Sequence, residues 1–379
     1  MIYLDNAATS FPKAPGVSQR MAEYVDKVGA NINRSSYASA QAAGLVTLTL
    51  RERLCRIFNN PDATHAVITP GATAGLNMVI KGLLRPGDHC IVSSMEHNAV
   101  MRPLVQLEKE GVSFDRVPCD GRGRMDPEEL RGLIRPNTRL VVMAHASNVC
   151  GTVQDAEAIG KICSEYGIPF ALDAAQTAGH IPVDFERFRL SALVVPGHKG
   201  LLGPQGIGAL LLDKGFAARL RPLIAGGTGS ASDSEELPDW MPDRFESGTE
   251  NLPGIYGFEQ ALRFVEETGV EGLDVHEKVI TRDFLNGLAE LRNVKLYGMD
   301  SINNRTGVIS LGFKNCDNAD AAWQLESRFG ILTRCGLHCA PSAHKSLGSF
   351  PAGSVRFSVG YATTDAEIEA ALAAIAQIG

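Results

Sequence analysis

What the sequence lacks narrows the field first. Its eight cysteines (Cys55, Cys90, Cys119, Cys150, Cys163, Cys316, Cys335 and Cys339) contain no C-x-x-C pair. A zinc ribbon and a thioredoxin-type motif are thereby excluded by spacing, and no metal site is expected. No apolar run approaches the roughly 20 residues of a membrane-spanning helix. The first residues, Met1-Ile-Tyr-Leu-Asp-Asn, lack a basic region followed by an apolar core, so they do not read as a signal peptide. Scattered thiols suit a reducing compartment, and a cytoplasmic location is the expectation. There is no excess of cations: 36 Lys and Arg face 43 Asp and Glu, a net charge of -7. That balance argues against nucleic acid or an anionic membrane as the main partner. Internal repeats and low-complexity tracts are also missing.

What is present is a chain of 379 residues, 44% of them hydrophobic, enough for a large core and an expected two domains. Apolar runs alternate with segments of helical spacing. Ala66 to Thr69, Cys90 to Ser94, Val112 to Val117, Leu140 to His145, Pro169 to Asp173, Ala192 to Val195 and Ile207 to Leu212 read as strands. Val17 to Val28, Leu45 to Phe58, Val100 to Lys109, Asp126 to Ile134 and Ala156 to Tyr166 read as helices. Strands that are apolar throughout predict a parallel sheet covered on both faces. Gly226 to Trp240, rich in Gly, Ser, Asp and Glu, reads as a mobile surface loop. A long helix from Ile255 to Glu267 reads as the bridge to a smaller α/β lobe. The expected division is an N-terminal arm (1–15) packing with the small domain, a large domain (16–254) and a small domain (255–379).

Chemistry collects at the predicted strand ends. Ser191-Ala-Leu-Val-Val-Pro-Gly-His198-Lys199-Gly-Leu-Leu-Gly-Pro-Gln-Gly-Ile-Gly208 is a buried strand broken by Pro-Gly, then His-Lys, then a glycine-spaced loop. Strand ends of an α/β sheet face one crevice. A lysine partly desolvated there loses charge and becomes a nucleophile toward aldehydes. Thr69-Pro-Gly-Ala72-Thr73 joins a strand to a helix start, which is either an anion site or a helix capped by Thr73. His97, Asn148, Asp173 and Gln176 stand at further strand ends; Asp173 also reads as a helix cap, and His97 as a satisfied loop histidine. One ligand would use all of them: a phosphate at the helix start, an aldehyde at Lys199, a protonated ring nitrogen facing Asp173, a ring hydroxyl at Asn148 and Gln176, and a flat face on His97. Pyridoxal 5'-phosphate has those parts.

The motifs also resemble a known family. Tyr3-Leu4-Asp5-Asn6-Ala7-Ala8-Thr9, Thr69-Pro-Gly-Ala-Thr73, Glu96-His97-Asn98-Ala99 and His145-Ala-Ser-Asn148-Val-Cys-Gly151 are followed by Asp173-Ala-Ala-Gln176, Gly197-His198-Lys199, Arg244-Phe-Glu-Ser-Gly-Thr249 and Arg334-Cys-Gly-Leu-His-Cys339. In this order they are similar to the class V aminotransferase group of pyridoxal-phosphate enzymes. Within that group they resemble the cysteine desulfurase and selenocysteine lyase family, in its short-loop Arg-x-Gly-x-His-Cys form. The resemblance spans nearly the whole chain and implies the type I fold of pyridoxal-phosphate-dependent transferases. That fold has a large, mostly parallel, seven-stranded-type sheet domain and a smaller α/β C-terminal domain.

By resemblance, Lys199 holds the cofactor as a Schiff base and later moves the substrate α-proton. His97 stacks on the ring and acts as acid or base. Asp173 pairs with the ring nitrogen, Gln176 and Asn148 contact the ring hydroxyl, and Ala72, Thr73 and His198 hold the phosphate. Thr249 reaches the phosphate of a partner subunit, which implies a homodimer. Arg356 grips the substrate carboxylate, a task suited to a guanidinium fork, with Asn148 beside it. Cys339 attacks the sulfur of L-cysteine to give a protein persulfide and L-alanine, with Arg334 and His338 favouring the thiolate. A sulfur-acceptor protein is a further implied partner.

This sequence departs from the family pattern at several points. Pro196 replaces a hydroxyl residue that would touch phosphate. Asn33-Arg34 carries Asn where short-loop relatives often have His. Glu250 replaces a common proline, and Ala362 a common asparagine. Cys335, four residues before Cys339, is a candidate persulfide relay. Selenocysteine lysis, another aminotransfer or epimerisation on the same fold, and a non-catalytic sulfur-delivery scaffold stay open beside the desulfurase reading.

Overall fold

A computed structural model describes residues 1–32, 36–230 and 233–378. The expectations placed on Asn33-Arg34, and on residues 231 and 232 of the 226–240 loop, lie outside the described residues. No helix among the described residues is long and apolar enough to cross a membrane.

The chain opens with β1 (Ile2–Tyr3), α1 (Val17–Glu23) and α2 (Ala38–Phe58). It continues with β2 (Ala66–Thr69), α3 (Ala72–Leu83), β3 (His89–Ser93), α4 (Asn98–Glu108), β4 (Ser113–Val117) and β5 (Thr138–Ala144). Then come α5 (Ala156–Glu165), β6 (Phe170–Asp173), β7 (Ala192–Pro196), β8 (Gly208–Leu212) and α6 (Lys214–Arg219). Strands β2 to β8 form one seven-stranded sheet in the order β2-β8-β7-β6-β5-β3-β4. Only β8 runs against its neighbours, antiparallel to both β2 and β7. The expected parallel sheet is therefore mostly parallel. The loop after Lys199 is too short for a covering helix, so the chain returns as an antiparallel strand.

Side chains alternate across each strand, and here both faces are apolar. Leu193 and Val195 point into a core with α2, α5 and a long helix, α7 (Leu252–Thr268). Ala192 and Val194 point the other way, into a core with α3 and α4. Helix α3 lies so close that a Cβ on Gly75 would sit 3.0 Å from Val194 Cγ1.

The sequence places α7 as the bridge beyond the large domain. Instead, its Leu252, Ile255, Phe258, Leu262 and Val265 pack in the core of the large sheet. The crossover follows at α8 (Val270–Ala289), which the apolar spacing did not isolate. Next come β9 (Val294–Tyr297), β10 (Val308–Phe313), α9 (Asn318–Phe329), β11 (Ile331–Leu332) and β12 (Arg334–Gly336). The chain closes with α10 (Pro341–Ser346), β13 (Ser354–Ser358) and α11 (Asp365–Ile375). An antiparallel sheet, β12-β13-β10-β9, packs with α8, α9 and α11. The short strands β11 and β12, one residue apart, join different sheets. The helix expected from Asp126 is a 3₁₀ segment, Pro127–Leu133.

The first residues belong with this second core. β1 pairs in parallel with β11, Leu4 is fully buried among the apolar residues of α8 and β13, and Ser358 N donates to Leu4 O at 2.7 Å. On the large sheet, the bidentate Arg51–Glu246 pair (2.7 and 2.6 Å) is buried, and Glu246 also accepts from Ile68 N. It fastens the 244–249 segment to β2.

Phe284 of α8 is fully buried and meets Phe357 edge-to-face at 5.5 Å. Phe284→Ala is expected to destabilise the protein by about 3–5 kcal/mol, measured by urea denaturation.

Candidate active site

A cavity of about 680 Å³ opens where β5, β6 and β7 end and α3 begins, the crevice position of an open α/β sheet. Ala72, Thr73, His97, Asn148, Asp173, Gln176, His198 and Lys199 all line it. Eight of the eleven residues singled out from the sequence thus meet on one wall. Cys339 and Arg356 are tied to that wall through Asn148, and Thr249 stands outside it, exposed.

Lys199 follows the end of β7, and its amine has no hydrogen bond or ion pair among the described residues. Burial, aided by Arg356 and Arg334 and opposed by Asp173, lowers it to about 8. Asp173 ends β6. Burial raises its carboxyl above the ordinary range, while Oδ1 accepts from Ala175 N at 2.9 Å. It therefore caps the following turn and faces the cavity at once. His97 caps α4: its Nδ1 accepts from Ala99 N at 3.0 Å, which leaves the proton of the neutral ring on Nε2. Burial, then Lys199, lowers this imidazole to about 4.

Helix α3 begins after Gly71, whose φ of 147° suits glycine, and no side chain caps it. Thr73 is not an ordinary cap, so this helix start is open to an anion. His198 Nδ1, buried at the same end, has no partner among the described residues. Pro196 lines the wall and supplies neither hydroxyl nor N–H. Gln176 donates from Nε2 to Ala7 O at 3.1 Å.

The Cys339 loop is fastened rather than free. Asn148 Nδ2 donates to His338 O at 2.6 Å, Asn98 N donates to Cys339 O at 2.8 Å, and His338 and Cys339 both hold positive φ (48° and 58°). Arg334 Nη2 lies 3.7 Å from Cys339 Sγ. His338 does not assist the sulfur as expected. Its Nε2 turns to Ser354 (3.1 Å to Oγ), and burial lowers it to about 2, so it is neutral. Strand alternation turns Cys335 to the face of β12 opposite Arg334, within the field of Asp317. The relay idea has no geometric support.

Sequence reasoning assigned no role to two groups that hold the site. Glu96 is fully buried: it accepts from Ser93 Oγ (2.5 Å) and Ala144 N (3.0 Å), and burial raises it to about 7. It braces the end of β5 against the His97 turn. On the arm, Ser10 N, Thr9 Oγ1, Ser10 Oγ and Lys13 Nζ all donate to His198 O, at 2.9, 3.0, 3.2 and 2.9 Å. The only sequence signal was polar residues just after the Tyr3–Thr9 motif.

The family model described as aminotransferase class-V matches residues 2–371. The chain belongs to the class-V aminotransferase family. It is similar to a probable cysteine desulfurase of Methanothermobacter thermautotrophicus, 33% identical, over 97% of this chain and 92% of that one. Among solved structures it is similar to the apo cysteine desulfurase of Thermococcus onnurineus, with a TM-score of 0.93 at 30% identity over 99% and 94% of the two chains. The Escherichia coli cysteine desulfurase CsdA gives a TM-score of 0.88 at 26% identity over 98% and 93%. Class-V membership implies pyridoxal phosphate. The uncapped helix start, and a His198 Nδ1 and a Lys199 amine without partners among the described residues, are what a phosphorylated aldehyde requires, so the residues of this class-V chain fit it.

Burial dominates the lowered values of His97, His145, His198, His338 and His344. The unfolded chain, with imidazoles near 6.5, then binds protons that the folded chain does not. Their stabilisation is full above pH 6.5 and is lost as pH falls toward 4. Glu96, Asp173 and Glu250 are raised, mainly by burial, and His180 is raised beside Glu277; these four act in the opposite sense, against six lowered imidazoles once His89 is included. The urea midpoint is expected to be lower at pH 5 than at pH 7; an equal or higher midpoint at pH 5 contradicts this assignment.

Proposed function

We propose that this chain is a pyridoxal-phosphate-dependent cysteine desulfurase, converting L-cysteine to L-alanine and taking the sulfur onto Cys339. The single observation that carries the reading is Asn148. It lines the Lys199 cavity, donates to the carbonyl of His338 beside Cys339, and accepts from Arg356 (3.1 Å). One residue thus joins an amine, a thiol and a carboxylate receptor, its side-chain amide reaching the cysteine loop and its backbone carbonyl accepting from Arg356. The similar cysteine desulfurases support the same reading.

Bound in this cavity, the cofactor supplies a carbonyl for amines and an electron sink for a carbanion at the substrate Cα. The open start of α3 and His198 receive the phosphate. Asp173 would keep the ring nitrogen protonated, and Gln176 and Asn148 would hold the ring hydroxyl. His97 would face the ring with Nε2–H available. Lys199, lowered to about 8, has a neutral fraction near neutral pH that would anchor the cofactor's carbonyl and would hold the substrate's α-proton. Arg356 receives the substrate carboxylate. Cys339 Sγ attacks the substrate sulfur: the new S–S bond forms as the C–S bond breaks, leaving a persulfide and, after protonation, alanine. Arg334, on the sulfur, offsets its negative charge.

The chain divides, on this reading, into an arm with the small lobe, a cofactor-binding large lobe and a small lobe carrying the cysteine loop. Thr249, exposed and outside the cavity, serves the phosphate site of a second copy in a homodimer. All eight cysteines are free, in keeping with a reducing, cytoplasmic setting.

Cys339→Ala is expected to retain covalent attachment of the cofactor at Lys199 while alanine and sulfide formation from cysteine falls at least about 100-fold. Both products are quantified, with selenocysteine run in parallel to rank the two substrates. Sulfide release at the wild-type rate would remove Cys339 from the mechanism. In solution, light scattering should give twice the 40.5 kDa chain mass, and Thr249→Ala should weaken cofactor retention without altering that mass.

A further inference from the structure

The arm places a carboxylate on the guanidinium that the preceding reading assigns to the substrate. Asp5 Oδ1 lies 2.7 Å from Arg356 Nη2. Arg356 stands on β13, between β12 and β10, and its side chain is 1% exposed, whereas that of Asp5 is 20% exposed. Arg356 Nη1 donates to Asn148 O, and Nε has no partner among the described residues. A guanidinium carries five N–H donors in a planar fork, so this one is only partly satisfied. Arg334, directly across from Arg356 in the β12–β13 register, adds a second cation.

A buried guanidinium without a counter-ion is costly. Asp5 supplies that counter-ion from the side of the pair open to solvent, at the head of a tight turn in which Ala8 N and Thr9 N return to Asp5 O (3.0 and 3.4 Å). Of the two partners, Asp5 is therefore the one that can be displaced.

We propose that Asp5 is a built-in competitor of the substrate carboxylate. It holds Arg356 in place between turnovers and sets how tightly a carboxylate is gripped. The proposal rests on the reading of Arg356 as the carboxylate receptor. An incoming carboxylate takes the open donors and shares or displaces Asp5, so binding costs part of one ion pair. With Asn at position 5, the geometry of the arm is kept and the negative charge is gone. The guanidinium is then left under-neutralised and draws a carboxylate more strongly.

The test uses the cofactor-loaded enzyme with propionate, a carboxylate lacking amine and thiol, and with propionamide as its uncharged counterpart. Binding is read as competitive inhibition against cysteine and as a thermal-shift titration. Asp5→Asn is expected to bind propionate about two- to fivefold more tightly than wild type, the scale of a partly exposed ion pair. Asp5→Glu should return the affinity toward wild type, and propionamide should not distinguish the three proteins. Equal or weaker propionate binding by Asp5→Asn overturns the proposal, because mere loss of a structural contact would weaken binding. Propionate binding that survives Arg356→Gln overturns the receptor reading on which the proposal rests. Absence of cysteine turnover in wild type sinks the desulfurase reading alone, since the thermal titration still reports on Asp5.

Discussion

A buried lysine amine with no hydrogen-bond partner among the described residues is the constraint around which this molecule is arranged. In water such an amine holds its charge up to about pH 10.4; in the cavity Lys199 is lowered to about 8, which leaves a neutral fraction near neutral pH. Holding it there takes a strand buried on both faces, a glycine loop that folds back as β8, and four donors on the carbonyl of the preceding residue. The polar wall opposite is built with equal care. Asp173 and Glu96 are both carboxyls out of water, each given N–H donors from the backbone. Removing those donors would leave uncompensated charge behind the site.

The cysteine loop shows a different economy. Two successive residues in the left-handed region are uncommon outside glycine. His338 and Cys339 stay there because Asn148, Asn98 and Ser354 each hold one end of the turn. The thiol is presented by strain and hydrogen bonds together, on a short loop, rather than by a long segment that must fold over its substrate. His344 and His338 stand 5.5 Å apart behind it as neutral imidazoles, part of a polar packing that fixes the loop from below.

The sheet was legible because its strands are apolar on both faces, and the wall of the cavity because strand ends carry the polar residues. Asp173, Lys199 and His97 could be placed from pattern and resemblance alone. Other features were not legible, for physical reasons. The antiparallel turn of β8 depends on loop length, not on the apolar pattern of the strand. Helix α7 is apolar enough to serve either lobe, and only packing assigns it to the large sheet. His338 sits beside the thiol in sequence, but its left-handed backbone turns the ring away. Glu96 looked like a motif letter until its burial showed which backbone amides it satisfies.

The arm carries a further consequence for how the protein is made. Its contacts reach Ile331, Arg356 and Ser358, at separations of up to 354 residues. The arm therefore finds its place only once β11 and β13 have been made. Closing so long a loop is slow. Until then Arg356 and Asp5 have not met, so a nascent chain can assemble its large sheet yet cannot finish the pocket.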